Sequence, residues 1–208
     1  MISSELLFDG PEDAKKVICL AHGAGAPMDS IFMNFMAEGL AKHGFRVVRF
    51  EFPYMAERRL TDKKKPPDRP GVLLDAWRTT ISQLGSPSRI LIGGKSLGGR
   101  IASMIADEIG VAGLICLGYP FHPPGKPPSP ERLAHLETLT TPTLICQGTR
   151  DPFGKSGDIK SYSLSSKIQL HWVDDGNHNF TPRKKSGRTE VENFNQALNA
   201  ILKFSNEI

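Results

Sequence analysis

No stretch of this sequence comes near the about 18 consecutive apolar residues that a membrane-crossing helix needs. The opening residues, MISSELLFDGPEDAKK, carry no basic segment followed by an apolar core, so no secretory signal is expected. Cysteine is scarce: Cys19, Cys116 and Cys146 are the three present, none in a Cys-x-x-Cys pair. An odd count inside apolar runs argues against a disulfide framework or a zinc site and for buried reduced thiols in a cytoplasmic protein. Internal repeats and low-complexity tracts are absent, which excludes solenoids and linkers. Charge is not strongly one-signed either: the net value is +4 over 208 residues, too mild to imply nucleic acid as a partner.

What is present suits a folded domain. Hydrophobic residues make up 39% and charged residues 23%, and the length fits one domain spanning 1–208 better than two. Short runs rich in Val, Ile and Leu recur at Val17–Leu20, Arg46–Phe50, Arg89–Ile92, Gly113–Leu117, Thr143–Cys146 and Ile168–Val173. Without clean alternation, they read as strands buried on both faces of a parallel sheet. Ile2–Phe8 reads as an antiparallel edge strand. Helical spacing is found at Ser30–Lys42, Gly71–Leu84, Leu97–Ile109 and Thr189–Phe204. Ser30 or Asp29 is the expected cap of the first, and Thr189 with Glu192 makes a capping box for the last. Two segments lack a regular pattern: Met55–Arg69, with Lys63–Lys65 as a solvated loop, and the six-proline stretch Tyr119–Pro130. The latter follows a strand and would wall a binding site, merely connect, or serve as a polyproline ligand for another domain. The implied class is α/β: a three-layer α/β/α sandwich on a mostly parallel sheet of six or seven strands. Such sheets bind ligands beyond the carboxyl ends of their strands.

Four strand ends carry chemistry. Gly94-Lys95-Ser96-Leu97-Gly98 lies between a strand and a helix and matches Gly-x-Ser-x-Gly. A sharp turn there exposes the Ser96 hydroxyl, and glycines are needed where a Cβ would meet neighbouring backbone. The competing reading is a glycine-rich turn with a capping serine. A phosphate-binding loop is a third, since Gly-Lys-Ser ends one, but the glycine it needs five residues before Gly94 is Arg89. His22-Gly23-Ala24-Gly25-Ala26 follows the first buried strand. The N–H groups of Ala24 and of Leu97, the residue after Ser96, are the candidate oxyanion donors. His22 would brace that turn, or line the site.

Asp151, after the strand TLICQ, is the candidate acid; its competing role is an Asx-turn, and Asp158 is its rival. His178 in Asp175–Phe180 is the candidate general base, on a glycine-containing loop that suits mobility. The competing reading is an unpartnered surface histidine. Ser96, Asp151 and His178 follow the chain order of one serine-hydrolase architecture and not of the others. Lys95, Tyr119, Phe121 and His122 join His22 as candidate substrate-pocket residues. Lys95, Lys126, Arg183, Lys184, Lys185 and Arg188 would favour an anionic substrate if they face the site, and are otherwise solvated surface.

With these motifs the sequence resembles the α/β-hydrolase superfamily over nearly its whole length. More closely, it looks like a small lidless group related to dienelactone hydrolases. That group includes predicted bacterial hydrolases, a testis-expressed animal relative and a domain of an NSL chromatin-complex subunit. The resemblance rests on HGAGA at His22–Ala26, GGKSLGGR at Gly93–Arg100, GYPFHPPGKP at Gly118–Pro127, QGTRDPFG at Gln147–Gly154, DGNHNF at Asp175–Phe180 and KKSGRT at Lys184–Thr189. It implies a trimmed version of an eight-stranded core and no lid, hence an open, shallow pocket for small acyl substrates. It also implies neither metal nor organic cofactor. An ester hydrolase is the leading expectation; an amide hydrolase, or an interaction module that keeps the fold, are the others.

Overall fold

Short runs of Val, Ile and Leu are stable only where both sides of each strand are covered. In the computed structural model, which describes residues 5–208, they assemble into one seven-stranded sheet. The strands are β1 (Leu7–Asp9), β2 (Val17–Ala21), β3 (Arg46–Phe50), β4 (Ile90–Lys95), β5 (Gly113–Leu117), β6 (Thr143–Gly148) and β7 (Ile168–Val173). Their order is β1-β3-β2-β4-β5-β6-β7. β1 pairs antiparallel with β3, and every other pairing is parallel. Of the edge strand expected at Ile2–Phe8, residues 2–4 lie outside the described residues, and the strand that forms begins at Leu7.

Successive residues of each central strand enter opposite cores, as a pleated backbone requires. Ile18, Leu20, Leu91, Ile115 and Leu117 point to one side with Leu144 and Cys146; α1 (Ile31–Ala41) and α8 (Glu190–Glu207) cover them. Cys19, Ala21, Ile90, Ile92, Leu114, Cys116 and Ile145 point to the other. There α2 (Pro53–Thr61), α3 (Pro70–Ser82), α4 (Leu97–Ser103), α5 (Ala106–Ile109), α6 (Pro130–Glu137) and α7 (Ser156–Ile159) contribute the facing residues. The result is a three-layer α/β/α sandwich. Among the described residues, no inserted helical domain interrupts the alternation of strand and helix. The three thiols are free and buried, and burial pushes each one's pKa up, that of Cys146 to about 12. They are packing residues, not nucleophiles. No helix among the described residues is long and apolar enough to cross a membrane.

Three elements differ from the sequence expectation. Of the segment expected as loop, Met55–Arg69, residues 55–61 fall in α2. Pro53 starts it at the first helical position, where a missing N–H costs nothing, and Tyr54, Met55 and Ala56 are buried. Its Arg59 reaches back to the buried Glu51 at 3.1 Å. The helix expected over Leu97–Ile109 breaks into α4 and α5. Ser103 at the break turns its hydroxyl onto the Arg100 carbonyl at 2.7 Å and lies 2.8 Å from the His135 ring on α6, so a side-chain network replaces the helical ladder there. Ser30 does precede α1, but its side chain makes no capping bond. The capping box of α8 forms as expected: Glu192 N–H donates to Thr189 Oγ1 at 3.2 Å and Thr189 N–H to Glu192 Oε2 at 2.6 Å.

The chain lays β3 on one side of β2 and then crosses to place β4 on the other. The two connections leave β2 and β4 in opposite directions, which opens a crevice at their carboxyl ends. His22–Ala26 and Ser96 both fall in it.

Candidate active site

Ser96 follows β4 with φ 49° and ψ −109°, outside the ordinary regions for a residue with a Cβ. The strain is imposed by close packing. A Cβ on Gly94 would lie 2.0 Å from the Ala21 carbonyl oxygen, and one on Gly98 would lie 2.3 Å from the same atom. Only glycine lets β4 and the start of α4 press against the end of β2, and that pressure holds the Ser96 turn. Ser96 N–H donates to the Leu117 carbonyl at 2.9 Å, which fixes the turn to β5 as well.

His178 and Asp151 arrive at the same point from the ends of β7 and β6. Ser96 Oγ lies 2.9 Å from His178 Nε2, and His178 Nδ1 lies 2.8 Å from Asp151 Oδ2. An ionised carboxylate can only accept, so Nδ1 carries the hydrogen and Nε2 is left to accept from the serine hydroxyl. Asp151 is fully buried. Its two oxygens perform both of the roles that competed for it. Oδ1 accepts the Phe153 N–H at 2.9 Å in an Asx-turn, and Oδ2 holds the imidazole. The rival Asp158 instead caps α7. Burial is the main influence on His178 and lowers its pKa below the ordinary value; the Asp151 hydrogen bond opposes this, and the Lys95 charge adds to it. The ring is therefore the neutral form near pH 7, with a free lone pair toward Ser96.

The histidine loop is pinned rather than mobile, contrary to the expectation from its glycine. Asn177 Oδ1 accepts the N–H groups of Asn179 and Thr181 at 2.8 and 3.1 Å. Arg150 N–H donates to the Gly176 carbonyl at 2.9 Å. The buried Asn193 of α8 donates to the Asp174 and Phe180 carbonyls at 2.9 and 2.7 Å. Arg183 is paired with Asp175, and Arg188 donates to Asn193 and Gln196. These two arginines brace the loop rather than await an anion.

Leu97 is the first residue of α4, so its N–H has no acceptor within the helix. The Ala24 N–H has no hydrogen-bond partner among the described residues, and Ala24 is exposed. The turn that carries it runs beside the serine: a Cβ on Gly23 would lie 3.8 Å from Ser96 Cβ. Ser96 itself is half-buried, and the His178 side chain keeps 21% of its surface exposed.

The expected pocket residues take other places. His22 is fully buried; its Nδ1 lies 2.7 Å from the Gly23 carbonyl, and its Nε2 accepts the Phe52 N–H at 3.1 Å. It braces the turn from within the core. Tyr119 and Phe121 are fully buried in the core beneath α6, the Tyr119 hydroxyl donating to the Arg132 carbonyl at 3.1 Å. Apolar side chains after a strand end read like a pocket wall, but here the chain folds back to cover the sheet. His122 is almost buried, 3.7 Å from Asp158, and its backbone N–H donates to the Phe153 carbonyl at 3.1 Å. Lys95 is buried, with Nζ 2.6 Å from the His178 carbonyl oxygen.

Two residues at the site escaped the sequence reading. Phe153, half-buried, lays its ring against the His178 imidazole, the centroids 4.3 Å apart. Gln147 is fully buried at the end of β6. Its amide donates to Asp151 Oδ2 at 3.0 Å and to the Tyr119 and Gly154 carbonyls at 3.2 Å, while its oxygen accepts the Tyr119 N–H at 2.7 Å. A polar residue ending an apolar strand was the available signal, since burial of an amide demands partners.

Comparison with known proteins agrees with this architecture. The family described as "Alpha/beta hydrolase domain" matches residues 14–206. An alpha-beta serine hydrolase homologue from Coxiella burnetii superposes with a TM-score of 0.71 at 20% identity, covering 95% of this chain and 91% of its own. A serine hydrolase without a lid from Xanthomonas campestris gives 0.66 at 17%, covering 98% and 96%. A dienelactone hydrolase from Anabaena variabilis gives 0.68 at 21%, covering 98% and 89%. At these identities the likeness concerns the fold.

Proposed function

The chain belongs to the α/β-hydrolase family, and from that premise we propose that it is a serine hydrolase that cleaves small acyl esters. The observation that carries this is the unbroken chain of hydrogen bonds from Ser96 through His178 to Asp151, at 2.9 and 2.8 Å. In this reading His178 takes the Ser96 proton as the oxygen attacks the acyl carbonyl. Asp151 stabilises the imidazolium that forms, and the free N–H groups of Ala24 and Leu97 receive the oxyanion. The imidazolium then protonates the leaving alcohol. Water activated by His178 releases the acid from the acyl-enzyme and restores Ser96. The depressed pKa of His178 suits the base step, since the ring is unprotonated at neutral pH.

An exposed Ala24 and a half-buried Ser96 favour short or protruding acyl groups over long chains buried in a tunnel. We place the protein in the small lidless dienelactone-hydrolase-related group, including its testis-expressed and chromatin-complex relatives. Its proposed partner is a small acyl molecule, not nucleic acid or a membrane. The cytoplasm is the proposed compartment, because three buried thiols are kept free.

A fluorophosphonate probe tests the reading directly. The expected result is labelling of Ser96 that Ser96→Ala abolishes, with turnover of p-nitrophenyl esters exceeding that of aminoacyl amides. Folded protein that resists the probe would defeat it. Turnover confined to amides would move the substrate class, since the same three side chains serve amide cleavage once the leaving amine is protonated.

A further inference from the structure

Lys95 stands one residue before the nucleophile, yet its ammonium is buried at 7% exposure, where a lysine is rare unless something holds it. What holds it is the backbone of the general base. Nζ donates to the His178 carbonyl oxygen at 2.6 Å, and among the described residues no other donor reaches that oxygen. The Phe32 ring of α1 and the Phe180 ring of the histidine loop lie 5.8 and 6.0 Å from Nζ. From the β5 side Gly118 closes the space: a Cβ there would sit 3.0 Å from Nζ and 3.1 Å from the His178 carbonyl oxygen. Gly23 of the oxyanion turn packs against the lysine stem, where a Cβ would meet Cγ at 3.4 Å. The charged or titratable groups that act on it are Asp151, from the end of β6, and His178 itself.

We infer that Lys95 is a positioning residue for the reaction: anchored on the same strand end as Ser96, it holds the His178 carbonyl and so sets the imidazole over the serine hydroxyl. The inference rests on the serine-hydrolase reading given above. One side chain thus keeps nucleophile and base in register, although they lie 82 residues apart in sequence. The ammonium has a second effect. Its charge opposes protonation of His178 and so keeps the ring in its base form. Burial draws the Lys95 pKa down to about 8, with Asp151 opposing. Above that pH the side chain loses its charge and becomes a weaker donor, so the clamp loosens.

The test uses the full-length protein and its Lys95→Met, Lys95→Arg and Ser96→Ala variants. Folding is checked by thermal melting. Probe labelling and p-nitrophenyl acetate hydrolysis are followed from about pH 5 to about pH 10, and the His178 ring is titrated by NMR. Wild type should lose kcat/KM above about pH 8. Lys95→Met should lower kcat about 100-fold with KM changed less than about threefold, as expected for a misplaced reacting group. It should also raise the His178 pKa and abolish the alkaline limb. Lys95→Arg keeps the charge at all these pH values and should recover activity while removing the alkaline limb. A folded Lys95→Met with wild-type rate and pH profile would overturn the inference and leave the hydrolase reading intact. Absence of labelling in wild type would overturn the hydrolase reading first, and this inference with it. Should Lys95→Met fail to fold, Lys95→Gln takes its place, and a folded Lys95→Gln with wild-type kcat and an unshifted His178 titration overturns the inference.

Discussion

The turn at Ser96 and the loop at His178 meet through the Ser96–His178 and Lys95–His178 hydrogen bonds, but they are held by opposite means. The turn is held by backbone against backbone. Gly94 and Gly98 press on the Ala21 carbonyl, and the serine between them takes a left-handed φ that it would not choose alone. The loop is held by side chains that come from elsewhere: Asn193 from α8, Arg150 from the end of β6 and Lys95 from β4. Close-packed backbone has no alternative rotamer, so the turn should fail all at once. Hydrogen bonds can be removed singly, so the loop should weaken by steps.

The largest expected effect is Ser96→Ala, which should cut kcat by on the order of 10⁶-fold, the scale seen when a triad nucleophile is removed. Its melting temperature should stay close to wild type, because the replacement keeps the strained φ and the packing. Gly94→Ala should break the turn itself. Its new Cβ meets backbone that no rotamer change can clear, so urea denaturation should show a loss of about 3 kcal/mol or more together with loss of probe labelling. Asn193→Ala sharpens the contrast. It strips the buried Phe180 carbonyl and the partly buried Asp174 carbonyl of their donor and should cost about 1–3 kcal/mol, with faster amide exchange confined to residues 174–180 and a partial fall in kcat.

A pH profile isolates the base. Because burial lowers the His178 pKa, the acid limb of kcat/KM should have its midpoint below the ordinary histidine value of 6.5; protonation on that side removes the lone pair that accepts the serine proton. An acid limb above 6.5 would contradict the burial argument. The smallest effect belongs to Thr189→Ala, which removes the cap of the helix carrying Asn193. It should cost about 1 kcal/mol in stability and leave kcat unchanged.

The two regions also differed in how far they could be read in advance. The Ser96 turn was legible because its constraint is local: glycines two residues either side of a serine, between a strand pattern and a helix pattern. The roles of Asp151 and Gln147 were half legible. Asp151 offered two readings, and only the fold revealed that one carboxylate satisfies both. Gln147 was passed over because nothing in its neighbours says that Tyr119 and Gly154 will close around it. Tyr119 and Phe121 were misplaced for a related reason. An aromatic pair beyond a strand end suits a pocket wall and a core equally, and the direction in which the proline-rich chain turns decides between them. Helix α2 is hidden in the sequence because Lys63–Lys65 and the prolines after them suggest a solvated loop, and the buried stripe of Tyr54, Met55 and Ala56 is too short to show a period.

From the sequence alone came the strands, several of the helices, the class of sheet and the three side chains, Ser96, Asp151 and His178, that the fold joins by hydrogen bonds. Each of these depends on residue spacing within one element, and hydrophobic period and glycine sterics act over a few residues. The sequence could not supply the distances. That Lys95 reaches the His178 carbonyl was decided by strands β4 to β7 lying side by side, and that Asn193, Arg183 and Arg188 brace the loop by the return of α8 onto β6 and β7. Partners more than 80 residues apart in the chain acquire their contacts only when the core on both faces of the sheet has closed.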